Sequence, residues 1–421
     1  MAASTRQSYL KVLRLPSASK VFAAALVGRF AYAMLPLSLL FTVRGGTNSF
    51  SWGSAAIAVY GLTTISLPVK ARLLDAHGER LLIPAMACGS SAALALLVVE
   101  AWHFTNPSPY VFLALTALTG LVAPPLGPTM RATWSRLTAP KPELRVTAMA
   151  LDSACEEALY LLGPVLVGTI LFVSRALVAL LIVVSCLLIG SFGMALHGAV
   201  ESPDLSGTLG KKLEAGRRPK FIRIHEMRLV MLVMFLFAGS VNLIYISVAG
   251  IATVAGSAGA AGLVEAAIGI GSVLGGIVWG RMNHSRGFGE QYLGLLIILV
   301  VGSALAFAVA PNLLLLGLVL GIAGCAVGPL YVVSYVAADT VATDDSRTEA
   351  GALVNMANNF GSAAGASVAG IIVDQLAGAN GLLVSAGTLT LAASTAGFSY
   401  ARTHKPRSGR PAAVTGIASK P

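Results

Sequence analysis

Apolar residues run through this chain in blocks of about 20 to 28, each closed by a short cluster of charged residues, Gly or Pro. About 20 such residues cross a bilayer as a helix, whereas a lipid-facing strand would alternate over about ten. The pattern predicts an all-α membrane protein with twelve transmembrane helices. They lie at 21–43, 52–73, 81–102, 109–131, 146–173, 176–198, 227–249, 257–280, 290–310, 313–336, 348–374 and 380–400. The first block follows Arg6, Lys11, Arg14 and Lys20, is too long for a signal-peptide core and lacks a small-residue cleavage site, so it reads as a retained span. The longest polar stretch, Ala199 to Glu226, parts the sixth span from the seventh. The chain therefore divides into an N-terminal six-helix bundle (1–200), a basic linker (201–226) and a C-terminal six-helix bundle with its tail (227–421).

Composition points to lipid as the main solvent. Only 11% of the residues are charged and 56% are hydrophobic, against about 25% charged in soluble domains. The 45 glycines suit close helix crossings in lipid, in particular Gly271/Gly275, Gly276/Gly280, Gly317/Gly321, Gly324/Gly328 and Gly361/Gly365. The net charge of +11 is a topology signal. On one side of the spans fall 26 of the 29 Lys and Arg, with Arg44 and Arg175 opposite and Arg29 inside a span. Basic loops stay cytoplasmic, so both termini and the linker are placed in the cytoplasm and the chain in the inner, cytoplasmic membrane. Nucleic acid is excluded as a partner. Cys88, Cys155, Cys186 and Cys325 lie singly in apolar blocks and the six histidines are scattered, so no metal or cofactor site is expected. There is no phosphate-binding loop for ATP, and no nucleophile and base pair for an enzyme.

The halves overlay at an offset of about 201 to 205 residues. Gly120 and Gly127-Pro128 meet Gly321 and Gly328-Pro329, and Arg145, Ala148, Leu151, Gly163 and Gly168 meet Arg347, Ala350, Leu353, Gly365 and Gly370. Such parallel repeats build transporters with a substrate site between the halves.

Residues 71–80 read Ala-Arg-Leu-Leu-Asp-Ala-His-Gly-Glu-Arg. They resemble the G-x-x-x-D-R-x-G-R-R loop of the major facilitator superfamily, with Ala71 at its first Gly and Ala76 at its first Arg. The resemblance covers roughly residues 20 to 400. It implies a fold of two pseudo-symmetric six-helix bundles, and a latch in which Asp75, with Gly78 at the turn and Arg80 beside it, faces the positive end of the eleventh helix. The second-half copy, 276–281, has Gly280 where the Asp would be, so the latch is one-sided. Gly163-Pro164 followed by Gly168 resembles the core of the family's antiporter motif, and allows either a bend or simple close packing. The Arg that the family often places before the fourth-helix Gly is absent, since Leu115 and Thr116 precede Gly120. Pro124 to Pro128, with Arg131, Trp134 and the 150–164 stretch, looks like an actinobacterial-type efflux branch of the superfamily.

Charges inside spans are costly and ask for a reason. The fifth span holds Asp152, Glu156 and Glu157. A spacing of four puts Asp152 and Glu156 on one face, continued by Tyr160 and Gly163, while Glu157 points about 100° away. Two carboxylates on one apolar face resist being charged together, as a proton-coupling group requires. Arg29 either pairs with one of the three or snorkels to the cytoplasmic headgroups, and one structural Arg–acid pair would still leave a surplus of acids. At offset 202, Glu156 and Glu157 fall on Asn358 and Asn359, with Asn355 a turn earlier. The asymmetry assigns proton coupling to the N-terminal half and hydrogen bonding to the other. Glu265 is a cavity acid or an interfacial residue; Tyr32, Asn242, Tyr245, Tyr331 and Tyr335 either line the pocket or pack with satisfied polar groups. The expected function is proton-coupled export of a small molecule by a monomer in the lipid bilayer. The rivals are an importer or sugar-type symporter, and a non-transporting receptor or scaffold.

Overall fold

The computed structural model describes residues 10–104, 107–198, 225–282, 287–342 and 347–403. The basic linker, up to residue 224, and the basic tail beyond 403 lie outside them. The described residues contain no strand. Twelve long helices follow one another: α1 Ala18–Thr47, α2 Phe50–His77, α3 Glu79–His103, α4 Pro109–Leu137, α5 Arg145–Val173, α6 Ala176–His197, α7 His225–Val254, α8 Ala260–Arg281, α9 Phe288–Val309, α10 Leu313–Val341, α11 Arg347–Gln375 and α12 Gly378–Thr403. Each coincides with a predicted span to within a few residues. The first ten are long and apolar enough to cross a membrane on that ground alone. The last two are as long but richer in Ser, Thr, Asn and Gly.

The hydropathy pattern predicts α4 and α10 as unbroken spans, and the structure corrects this. α4 stops at Val122 and restarts at Leu126. Ala123, which precedes Pro124, sits at φ −61°, ψ 130°, because a proline ring drives the residue before it out of the helical region. α10 breaks at Cys325 and Ala326. There Pro329 offers no N–H to the carbonyl four residues back. The breaks fall at matching places in the two halves, as the repeat of Gly127-Pro128 and Gly328-Pro329 requires.

Packing repeats in the same way. Gly163 of α5 lies against α1, where a Cβ would stand 2.6 Å from the Ala33 carbonyl oxygen, and its counterpart Gly365 of α11 meets the Gly239 backbone of α7. Four of the five small-residue pairs mark crossings; Gly276 and Gly280 face open space and mark none. α1 crosses α6 where Gly28 meets Gly190. A Cβ on Gly190 would overlap the Gly28 backbone nitrogen, so Gly190→Ala is expected to cost about 1–3 kcal/mol of overpacking. A lowered Tm of the purified protein in detergent checks this.

The halves meet chiefly through two helix pairs, α2 with α11 and α5 with α8. Both contacts lie towards the end of the bundle away from the basic loops, hereafter the outer end. Gly168 packs on Gly259 and Gly262, and its repeat counterpart Gly370 packs on Phe50, Ser51 and Ser54. The outer side of the cleft is closed in this form.

Candidate functional site

The break in α4 organises a polar cluster between α1, α4 and α5. Arg29 and Asp152 are 4% and 1% exposed. The guanidinium grips both carboxylate oxygens, Nη1 donating to Oδ1 at 2.8 Å and Nη2 to Oδ2 at 3.1 Å. The Trp134 indole N–H donates to Oδ1 at 3.3 Å, and Arg131 Nε stands 3.6 Å from Oδ2. One turn further along α5, Glu156 accepts from Arg131 Nη2 at 2.6 Å and lies 3.7 Å from Arg29 Nη2. Asp152 and Glu156 thus share a face, and Arg29 is paired with them instead of snorkelling.

Arg131 corrects the sequence reading, which counts it among cytoplasmic loop residues. α4 continues to Leu137, and a spacing of three turns Arg131 and Trp134 together towards α5. Two guanidiniums face two carboxylates, the buried Arg29 and the half-exposed Arg131, so Arg29 is not the sole partner. Lys70 needs the same correction. It is 7% exposed in α2, and its Nζ donates to the Gly120 carbonyl at 2.7 Å. Gly120 lies in the last turn before the α4 break, where carbonyls lack helical donors and a cation is favoured. Tyr32 OH serves the break likewise, donating to the Pro124 carbonyl at 2.6 Å. Two consecutive prolines signal such orphaned acceptors, and with them the need for donors nearby. A cavity of about 280 Å³ opens beside the cluster, lined by Arg29, Tyr32, Thr64, Pro124, Glu156 and Tyr160 among others.

Glu157 is set apart. It is exposed on the adjacent face of α5 and has no ion pair or hydrogen bond among the described residues. Across the cleft it comes within electrostatic reach of Tyr331 on α10. From Tyr331 a chain of polar groups crosses back to the N-terminal half. Tyr331 OH donates to Asn358 Oδ1 at 3.1 Å, Asn358 Nδ2 to Asn359 Oδ1 at 3.4 Å, and Asn359 Nδ2 to Thr64 Oγ1 of α2 at 3.1 Å. Phe237 packs edge-on to the Tyr331 ring at 5.2 Å. Glu265, partly buried on α8, lies within reach of Tyr245 on α7.

The remaining cavity candidates are divided between sites. Tyr32 lines the N-terminal cavity, and Asn242 donates to the Ala238 carbonyl of its own helix at 3.1 Å. Asn355 is exposed with no described hydrogen bond. Tyr335 faces a separate cavity of about 320 Å³ with Asp339 and Gly351.

At the basic end of the bundle, Gly78 takes φ +81° between α2 and α3, a conformation that favours glycine. Asp75 and Arg80 are exposed, and Asp75 has no partner among the described residues. The loop is tied instead by Glu79, which pairs with Arg136 of α4 at 2.5 Å. α5 runs through Gly163-Pro164 without interruption. There Gly163 packs on α1, and the Pro164 carbonyl receives Gly262 of α8.

Residues 230–420 match the family model described as Major Facilitator Superfamily. That match spans the C-terminal half of the chain, and the fold of both halves is that of major facilitator transporters. This fold extends over the whole molecule in solved structures of low identity. The nucleoside transporter NupG is 15% identical with a TM-score of 0.65, the match covering 90% of this chain and 98% of that one. A bacterial homologue of the iron transporter ferroportin in an inward-facing state is 12% identical with a TM-score of 0.66, covering 90% and 97%. A bacterial homologue of the human lysosomal transporter Spinster, inward-facing and unoccupied, is 12% identical with a TM-score of 0.65, covering 93% and 97%. No curated protein matches the chain in sequence. The chain is therefore a multi-pass helical protein with the fold of transporters that work by alternating access.

Proposed function

We propose that this protein exports a small cationic or neutral amphipathic molecule across the cell membrane in exchange for protons, with both termini in the cytoplasm. The observation that carries the reading is the distribution of charge on α5. Asp152 and Glu156 are matched by Arg29 and Arg131, which leaves Glu157 facing the cleft without a described partner. An ionised carboxylate alone at lipid depth carries a desolvation cost that protonation removes. Glu157 is accordingly the proton carrier, and the cluster of Arg29, Asp152, Glu156 and Arg131 fixes α5 against α1 and α4 around it.

The same charge pattern supports the cargo class. Glu157 and Glu265 belong to opposite halves, each within electrostatic range of a tyrosine, Tyr331 and Tyr245, and carboxylates together with aromatic rings attract organic cations. Asn358 and Asn359 supply uncharged hydrogen-bonding groups in the second half. Export is supported by the Gly163-Pro164 and Gly168 series of α5, in the position of the family's antiporter motif.

In everted vesicles with an acid interior, ethidium is expected to discharge the proton gradient when the protein is present. Vesicles carrying Glu157→Gln should lose the response, because the amide can neither take up nor release the coupled proton. An importer would not answer in this orientation, and a receptor would show no flux with Glu157 freely replaceable. Retention of the full response by Glu157→Gln contradicts the proposed coupling.

A further inference from the structure

α2 and α11 run antiparallel across the boundary between the halves, and each ends in an aspartate: Asp75 in the last turn of α2 and Asp374 in the last turn of α11. The two ends differ in this structure. At the outer end Asp374 caps the start of α2. Its Oδ1 accepts the Phe50 backbone N–H at 2.8 Å. Its Oδ2 accepts the Ser51 N–H at 2.8 Å, the Ser49 hydroxyl at 2.6 Å and the Ser51 hydroxyl at 2.7 Å. The first N–H groups of a helix have no internal acceptor and form its positive end. One carboxylate from the opposite half therefore satisfies two of them with charge-assisted bonds. At the other end Asp75 is exposed, with no partner among the described residues.

The second contact between the halves has no such device. α5 and α8 close through the Gly168, Gly259 and Gly262 backbones, and Phe172 occupies the repeat position of Asp374. Among the described residues, a carboxylate capping a helix start across the boundary is seen only at the α2/α11 pair, which also carries a second carboxylate, Asp75, at its other end.

We propose that Asp374 is the outer member of a two-position latch. While it caps Phe50 and Ser51, the outer side stays closed and Asp75 is free. When the outer side opens, Asp374 leaves the start of α2, and Asp75 is released to make the inner latch that the family resemblance already implies; the outer member is the new element. The same helix pair is held at one end or the other, never at both, because rocking of the halves separates one end as it joins the other. The latch needs alternating access alone and holds whatever the cargo or coupling ion.

Two spin-label pairs test it in the full-length protein with its four native cysteines replaced, reconstituted in liposomes. Thr47→Cys with Ala377→Cys reports the outer side, and Ala76→Cys with Ala342→Cys the inner. Pulsed electron resonance distances are expected to show Asp374→Asn raising the outer-open to outer-closed ratio by about tenfold, the scale of weakened hydrogen bonds to a charged group. Asp75→Asn should move the ratio the opposite way, and the double variant should fall between them. Should Asp374→Asn fail to fold, Ser49→Ala with Ser51→Ala removes two donors, leaves the backbone bonds, and is expected to shift the ratio in the same direction by less. Unchanged distances on disabling the Asp374 cap, or shifts of the same sign from Asp374→Asn and Asp75→Asn, would overturn the proposal.

Discussion

Replacing Arg29 with Met is expected to destabilise the protein by about 3–5 kcal/mol, because removing one member of a buried ion pair strands the other. Asp152 is 1% exposed and takes two of its hydrogen bonds from Arg29. Without that side chain the carboxylate keeps only Trp134 at 3.3 Å and Arg131 at 3.6 Å. Asp152→Leu alone should cost a comparable amount, since it leaves the buried guanidinium with only Glu156 at 3.7 Å and the Gly127 carbonyl at 3.5 Å. The double replacement, Arg29→Met with Asp152→Leu, removes both charges and substitutes apolar volume, which often restores or raises stability. Thermal unfolding of the four proteins in detergent gives the cycle. A large positive coupling between the sites is expected, together with transport that stays low in the double variant. The restored fold would then lack the charges that hold α5 in register with α1 and α4. Additive effects of the two single replacements would contradict a direct pair.

The second large effect concerns the closed outer side. Gly168 and Gly370 occupy the same position in the two halves, and each lies where its helix touches the opposite half. Duplication has supplied one small residue for each of the two outer contacts. A Cβ on Gly262 would overlap the Pro164 carbonyl oxygen. Leu at position 262 therefore penalises the closed form and leaves the open form untouched. A penalty of about 1–3 kcal/mol moves the equilibrium by about 5- to 150-fold. Gly262→Leu is expected to hold the protein open to the outside, with transport reduced by a similar factor. Thiol labelling of a cysteine placed in the outer cleft should accelerate accordingly. Gly276→Leu, on the same helix but facing open space, is the control and should change neither. Equal labelling of the two variants would remove the packing basis for closure.

Much of this architecture is legible in the sequence, since lipid imposes one rule on every span. The twelve helices, the two halves and the facing positions of Asp152 and Glu156 follow from block length, offset and a spacing of four. The charges that the sequence hides are those counted by their place relative to a span's end. Arg131 and Lys70 look like loop cations because the apolar blocks thin out before the helices stop. Whether a cation near a helix end turns inward depends on an acceptor elsewhere in the chain: Glu156 for Arg131, the Gly120 carbonyl for Lys70. Asp374 is harder still, since its partners lie more than 320 residues earlier. Nothing local separates it from any acid at a helix end. The tyrosines show the same limit, for Tyr331 faces the cleft while Tyr335, one turn on, lines another cavity.

Proton coupling through α5 is tested most directly in proteoliposomes, by following ethidium accumulation driven by an imposed pH gradient alongside ethidium exchange at equal pH. The wild-type protein is expected to accumulate the dye against its gradient. Glu157→Gln is expected to keep the exchange and lose the accumulation. Gradient-driven accumulation that survives unchanged in Glu157→Gln would contradict the account.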